Sequence, residues 1–159
     1  MKITLICVGK CREKYFTDAA DEYLKRLSRY AKTEIIEVRD EKTPEEASEH
    51  EEDLIRDAEG QRILAKIPEN SYVISLALDG KAYDSVGLSE HISDLMLQGK
   101  SHLALLIGGS IGLSESVLKR ADESWSFSKL TFPHQLMRVI LLEQLYRSFR
   151  IMNNEPYHK

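Results

Sequence analysis

Cysteine is nearly absent from this chain: Cys7 and Cys11 are the only two among 159 residues. No His cluster stands near them, so the four ligands of a structural zinc site are missing. A thiol on a first strand and another just after it read as reduced cysteines of a cytosolic protein. No apolar run approaches the roughly 18 residues that a membrane span requires. The chain opens on a strand-like Ile3–Val8 with no cleavable signal pattern. Neither a P-loop nor a dinucleotide fingerprint occurs, which removes two common nucleotide-binding schemes. No repeat, low-complexity tract or linker breaks the chain, and its length suits one domain over residues 1–159. A metal-free, membrane-free cytoplasmic domain is expected.

An excess of positive charge is also lacking, since the net charge is −4. The distribution is more informative than the sum. Residues 41–60 hold nine acidic side chains against Lys42 and Arg56. The segment 10–32 holds seven basic and four acidic residues, and 129–159 five basic and two acidic. Two basic segments therefore frame an acidic middle, and a polyanion can use one face despite the overall sign. An ordinary mixed surface fits these counts equally well.

What the sequence does contain is organised around Leu103-Ala-Leu-Leu-Ile-Gly-Gly-Ser-Ile-Gly112. Its apolar run reads as a strand buried on both faces. Gly108, Gly109 and Gly112 then allow a turn with unusual backbone angles and close approach of a ligand. Ser114 is placed to cap a short helix from Glu115 to about Arg120. Strand, glycine turn and helix form the arrangement by which an open α/β sheet binds ligands beyond its strand ends. The same pattern also fits a tight turn that binds nothing.

Around it the sequence predicts a first strand Ile3–Val8, a helix from Glu13 to about Tyr30, and a short edge strand Glu34–Val38. Thr43-Pro44-Glu45-Glu46 has the cap, proline and acid of a helix start, predicting a helix to about Lys66. A third strand follows at Ser71–Leu78, with Asp79-Gly80 as the turn that ends it. Ser85 is the expected cap of a helix Val86–Leu97. Leu103–Ile107, Trp125–Phe127 and a last helix from Pro133 to about Met152 complete the order. Strands alternating with helices imply α/β architecture: a mostly parallel sheet with helices on both faces. In the last helix Met137, Ile140, Leu141, Gln144, Leu145 and Phe149 share one face, while Arg138, Leu142 and Tyr146 fall on the other. That belt is wide enough to suggest a second protomer against it.

Three segments carry a family likeness: Leu130-Thr-Phe-Pro-His-Gln-Leu-Met-Arg138, Leu142-Glu-Gln-Leu-Tyr-Arg147 and Pro156-Tyr-His-Lys159. With Gly108-Gly-Ser-Ile-Gly112 and the Lys2-Ile-Thr-Leu start, the chain resembles the ribosomal RNA large subunit methyltransferase H family of α/β-knotted (SPOUT) enzymes. The resemblance implies a homodimer that uses S-adenosylmethionine to methylate N3 of a pseudouridine in the helix 69 loop of 23S rRNA within the ribosome. It also implies a C-terminal trefoil knot, which topology rules alone exclude. Carried over by position, the cofactor would lie among Leu76, Gly108 and the segment Phe127, Ser128, Lys129, Leu130, Thr131 and Phe132. Candidate catalytic residues are Arg147, Tyr157 and His158, with His134 and Lys159 as further donors. Lys159 stands where relatives commonly have Arg, keeping the charge but not the bidentate geometry. Another knotted methyltransferase specificity and a non-catalytic RNA-binding domain are the competing readings.

Overall fold

The computed structural model describes residues 1–159. Its elements are β1 (Lys2–Val8), α1 (Lys14–Leu27), β2 (Lys32–Val38), α2 (Glu49–Leu64), β3 (Tyr72–Ala82), α3 (Ser85–Leu97), β4 (His102–Ile107), α4 (Glu115–Arg120), β5 (Glu123–Ser126) and α5 (His134–Met152). The five strands are all parallel, in the order β2-β1-β4-β3-β5. β1 and β4 are central and buried on both faces, as their unbroken apolar runs require.

Alternation along those strands divides the core. Ile3, Leu5, Cys7, Leu103, Leu105 and Ile107 face α1, α3 and α5. Ile6, Val8, Ala104 and Leu106 face α2 and α4. The two basic segments thus share one face, where α1 packs against α5, while the acidic α2 covers the opposite face. Burial pushes the Cys7 thiol up to about 12, so it is an inert core group.

Four local readings are corrected. α2 starts at Ser48, whose hydroxyl and Glu51 form a capping box; Thr43 caps nothing. Residues before it are drawn back over α2, where Glu41 N–H donates to Glu59 Oε2 at 3.0 Å and Arg62 donates to Arg39 O at 2.9 Å. Asp84, not Ser85, caps α3, accepting from Gly87 N–H at 2.6 Å. Asp79-Gly80 is not a turn. β3 continues through it, with a register shift against β5 between Leu76 and Lys81. A Cβ on Gly80 would lie 2.6 Å from the Trp125 carbonyl carbon, so only glycine lets the strands approach there.

The fourth correction concerns α5, where Arg138 and Leu142 point inward and are buried. Arg138 reaches beneath the sheet's C-terminal edge, donating to Glu37 Oε2 at 2.6 Å and Gly9 O at 3.2 Å. It therefore ties α5 to the ends of β1 and β2. Partial burial works to raise the Glu37 carboxyl, but bonds from Arg138 and the Cys11 N–H outweigh it and hold the group below its usual value. This link stabilises the fold above the ordinary carboxylate range and is lost as pH falls below it. Glu37→Leu strands a buried guanidinium and is expected to cost about 3 kcal/mol. Arg138→Met leaves a Glu37 that water still reaches, so it should cost less. Urea unfolding of both variants checks the order.

Candidate active site

Beyond the C-terminal ends of β4 and β5, and where β3 parts from β4 after Ser75, three segments line a cavity of about 440 Å³. They are 76–78, 107–113 and 127–132, with Leu118, Trp125, His134 and Met137 completing the wall. The size lies within the roughly 300–1,000 Å³ of small-molecule sites, and the position is where open α/β sheets take ligands. Leu76, Gly108, Phe127, Ser128, Leu130, Thr131 and Phe132 all line it. Lys129 belongs to the same segment but is not on the wall.

The glycine turn is built as the chemistry of close approach demands. A Cβ at Gly108 would lie 2.8 Å from the Gly112 carbonyl carbon, so the two backbones meet only without a side chain. Gly112 adopts φ +83°, and its N–H closes the turn onto Gly109 O at 3.1 Å. Ser114 caps α4 through Val117 N–H at 3.3 Å. On the opposite wall Ser128 Oγ accepts from Leu130 N–H at 2.9 Å, which turns the segment and leaves Leu130 69% exposed. Leu78 is 58% exposed at the same cavity. Apolar walls with backbone polar groups between them suit a small ligand that has both apolar and polar parts.

The C-terminal residues form a second cluster, around the far end of α5. Tyr157 Oη donates to Glu143 Oε1 at 3.0 Å, and its ring meets Tyr146 edge-on at 4.9 Å. The Arg147 guanidinium lies 4.7 Å over the Tyr157 ring and pairs with Glu143. Arg147 Nη1 is 3.2 Å from His158 Nδ1. Burial, then the bond to Glu143, pushes the Tyr157 phenol upward, so it stays protonated. The tail is held by polar contacts. Arg150 donates to Pro156 O at 2.8 Å and pairs with Glu155, which also accepts from Tyr30 Oη at 2.9 Å.

Within the chain the two clusters do not meet. Met137, on the cavity wall, and Arg147 are ten residues apart on α5, or about 15 Å along the helix. Between them lies a smaller cavity of about 350 Å³ that shares Trp125 and Phe127 with the first. Gln144 on its wall accepts from Ser85 Oγ at 3.0 Å and donates to Glu143 Oε2 at 2.7 Å. A hydrogen-bonded chain thus runs from this cavity to Tyr157 and His158.

Several participants were not marked by sequence reasoning. Arg138, Glu37 and Glu143 are ordinary charged residues until the fold joins them, although Glu143 four before Arg147 is a visible helix pair. Glu59 is buried beneath Gly109 with Oε1 unpartnered, and burial raises its carboxyl. No group of three or more His, Cys, Asp or Glu is arranged to hold a metal ion. No helix is long and apolar enough to cross a membrane.

Comparison with known proteins adds to this geometry. The family described as predicted SPOUT methyltransferase matches residues 1–158. The ribosomal RNA large subunit methyltransferase H of Clostridium novyi (strain NT) is 61% identical over 159 residues, 100% of both chains. Proteins of the same name from Clostridioides difficile (strain 630) and Lysinibacillus sphaericus (strain C3-41) are 57% and 55% identical, again over 100% of both chains. Among solved structures, a probable methylase family protein from Haemophilus influenzae Rd KW20 superimposes with a TM-score of 0.54 at 16% identity. It matches 99% of this chain and 70% of its own, a likeness of fold alone.

Proposed function

The chain belongs to the SPOUT methyltransferase family, and from that premise we propose that it methylates N3 of a pseudouridine in the helix 69 loop of 23S rRNA. The observation that carries this reading is the cavity between mid-β3 and the ends of β4 and β5, together with identity of 55–61% over the full length of the relatives above. S-adenosylmethionine, held in that cavity, would supply an electrophilic methyl group on its sulfonium. In this reading the fold carries the family's trefoil knot, formed where the segment 127–133 passes the 107–113 turn. The protein would act in the cytoplasm.

Leu76, Phe127, Leu130 and Phe132 would grip the cofactor's apolar parts, and the backbone at Gly108 and in 128–131 would read its polar edge. Methyl transfer also needs the target nitrogen in line and its N3–H proton removed. Tyr157 would pack against the base, and Arg147 and Lys159 would hold phosphate. Arg147 can only donate, so its contact sets His158 Nδ1 as acceptor and leaves the ring proton on Nε2. In that tautomer His158 offers a donor to a carbonyl oxygen beside N3, where negative charge develops. It accepts the proton itself only if the Arg147 contact opens.

Since the tail lies about 15 Å along α5 from its own cavity, a two-fold pair with antiparallel α5 helices would bring it to the partner's. Leu136, Met137, Ile140 and Ile151 remain half-buried on α5 and would gain cover in that pair. The protein is therefore expected to sediment as a dimer at micromolar concentration; a monomer would remove the composite site. Calorimetric titration with S-adenosylmethionine separates an enzyme from a non-catalytic ribosome-associated domain, which would take up no heat.

A further inference from the structure

The cavity contains one chemical anomaly. Of all the side chains on its wall, His134 is the one titratable group; the rest are apolar, hydroxyl-bearing or glycine. Resting on the methyl-donor reading above, we propose that His134 sets the cavity's preference between a cationic sulfonium donor and its neutral thioether product.

The surroundings of the imidazole show how. His134 opens α5 against the end of β1: its Nε2 is 3.4 Å from where a Gly9 Cβ would stand, with Asp40 also at that point. Arg138 follows one turn later, buried and paired to Glu37 of β2. Burial first, and Arg138 second, hold the ring below its ordinary value, with Asp40 opposing. Further charged groups near this wall are Lys10 and Arg12 beyond Gly9, Glu59 beneath Gly109, and Lys129 on the 127–132 segment. At neutral pH the ring is uncharged and the wall carries no net charge toward the ligand.

A sulfonium entering this cavity meets no carboxylate on the wall, so its affinity depends on there being no competing cation. Protonating His134 places a like charge in a poorly screened space, which weakens a cationic ligand on the order of tenfold. The thioether left after methyl transfer differs from the donor by that one charge and one methyl group, so it is spared. Amino and carboxylate groups are common to both ligands, and their titration cancels in the ratio of affinities. Below the ordinary histidine range the balance of affinities would therefore shift toward product. Burial first, and Arg138 second, keep the ring neutral and move this change below the ordinary histidine range.

The test is calorimetry of the intact protein with S-adenosylmethionine and S-adenosylhomocysteine, from neutral to about pH 5. The dissociation-constant ratio, donor over product, should rise on the order of tenfold in the parent protein and stay flat in His134→Asn. A flat ratio in the parent, or an equal rise in His134→Asn, overturns the proposal; the second result would point to Glu59. Should the variant fail to fold, NMR titration of His134 in the parent decides instead. By linkage the bound donor must lower the imidazole pKa more than the bound product does, and equal values overturn the proposal. If neither ligand binds at any pH, the methyl-donor reading falls as well.

Discussion

Gly108→Val should abolish measurable S-adenosylmethionine binding while the protein still unfolds cooperatively. The substitution places a Cβ 2.8 Å from the Gly112 carbonyl carbon and 3.0 Å from its oxygen. Backbone cannot move aside as a side-chain tip can, so the 107–113 turn must shift as a unit. That turn is one of the three walls of the cavity, and in the proposed reading its backbone meets the ligand directly. The strand before it is fixed on both sides by β1 and β3, which confines the disturbance to the turn. An affinity loss beyond about a hundredfold, or about 3 kcal/mol, is expected by calorimetry, with the far-ultraviolet circular dichroism unchanged. Unchanged affinity in a folded variant would mean that the pocket is misplaced.

The second large effect concerns the tail. Deleting residues 156–159 removes Tyr157 and His158 but leaves Arg147 paired to Glu143 and the cavity untouched. Cofactor affinity and dimerisation should stay near the parent values while methyl transfer to ribosomes falls by orders of magnitude. Mixing this protein with Gly108→Val is the sharper experiment. A mixed dimer pairs one intact cavity with the intact tail of the other chain, so activity should partly return. If each cavity used its own tail, every site in the mixture would stay defective.

Much of this architecture can be read from sequence because local signals and burial agree. The apolar run before Gly108, the Ser114 cap and α4 all fall where the pattern puts them, since a strand buried on both faces leaves few alternatives. The start of α2 misleads because two capping signatures lie five residues apart. Tertiary bonds, Glu41 N–H to the Glu59 carboxylate and Arg62 to Arg39 O, hold the first out of the helix. Asp79-Gly80 imitates a turn, whereas its glycine serves the contact with Trp125, a residue far along the chain. Arg138 looks like an outer-face residue by helical spacing, and only the carboxylate and carbonyl at the ends of β1 and β2 make its burial tolerable. The positions that the resemblance assigned to a cofactor line one cavity, with Lys129 set back from its wall. The resemblance did not anticipate how the tail is held, because Glu143, Arg150 and Tyr30 meet it only after α1 and α5 have packed.

The most direct test of the central claim is mass spectrometry of 23S rRNA from a strain lacking this gene. The account predicts that one methyl group disappears from a pseudouridine in the helix 69 loop, with fragmentation placing it on the base at N3. Expression of the parent protein should restore it, and expression of Gly108→Val should not. An unchanged helix 69 methylation pattern in the deletion strain, or restoration by Gly108→Val, would contradict the account.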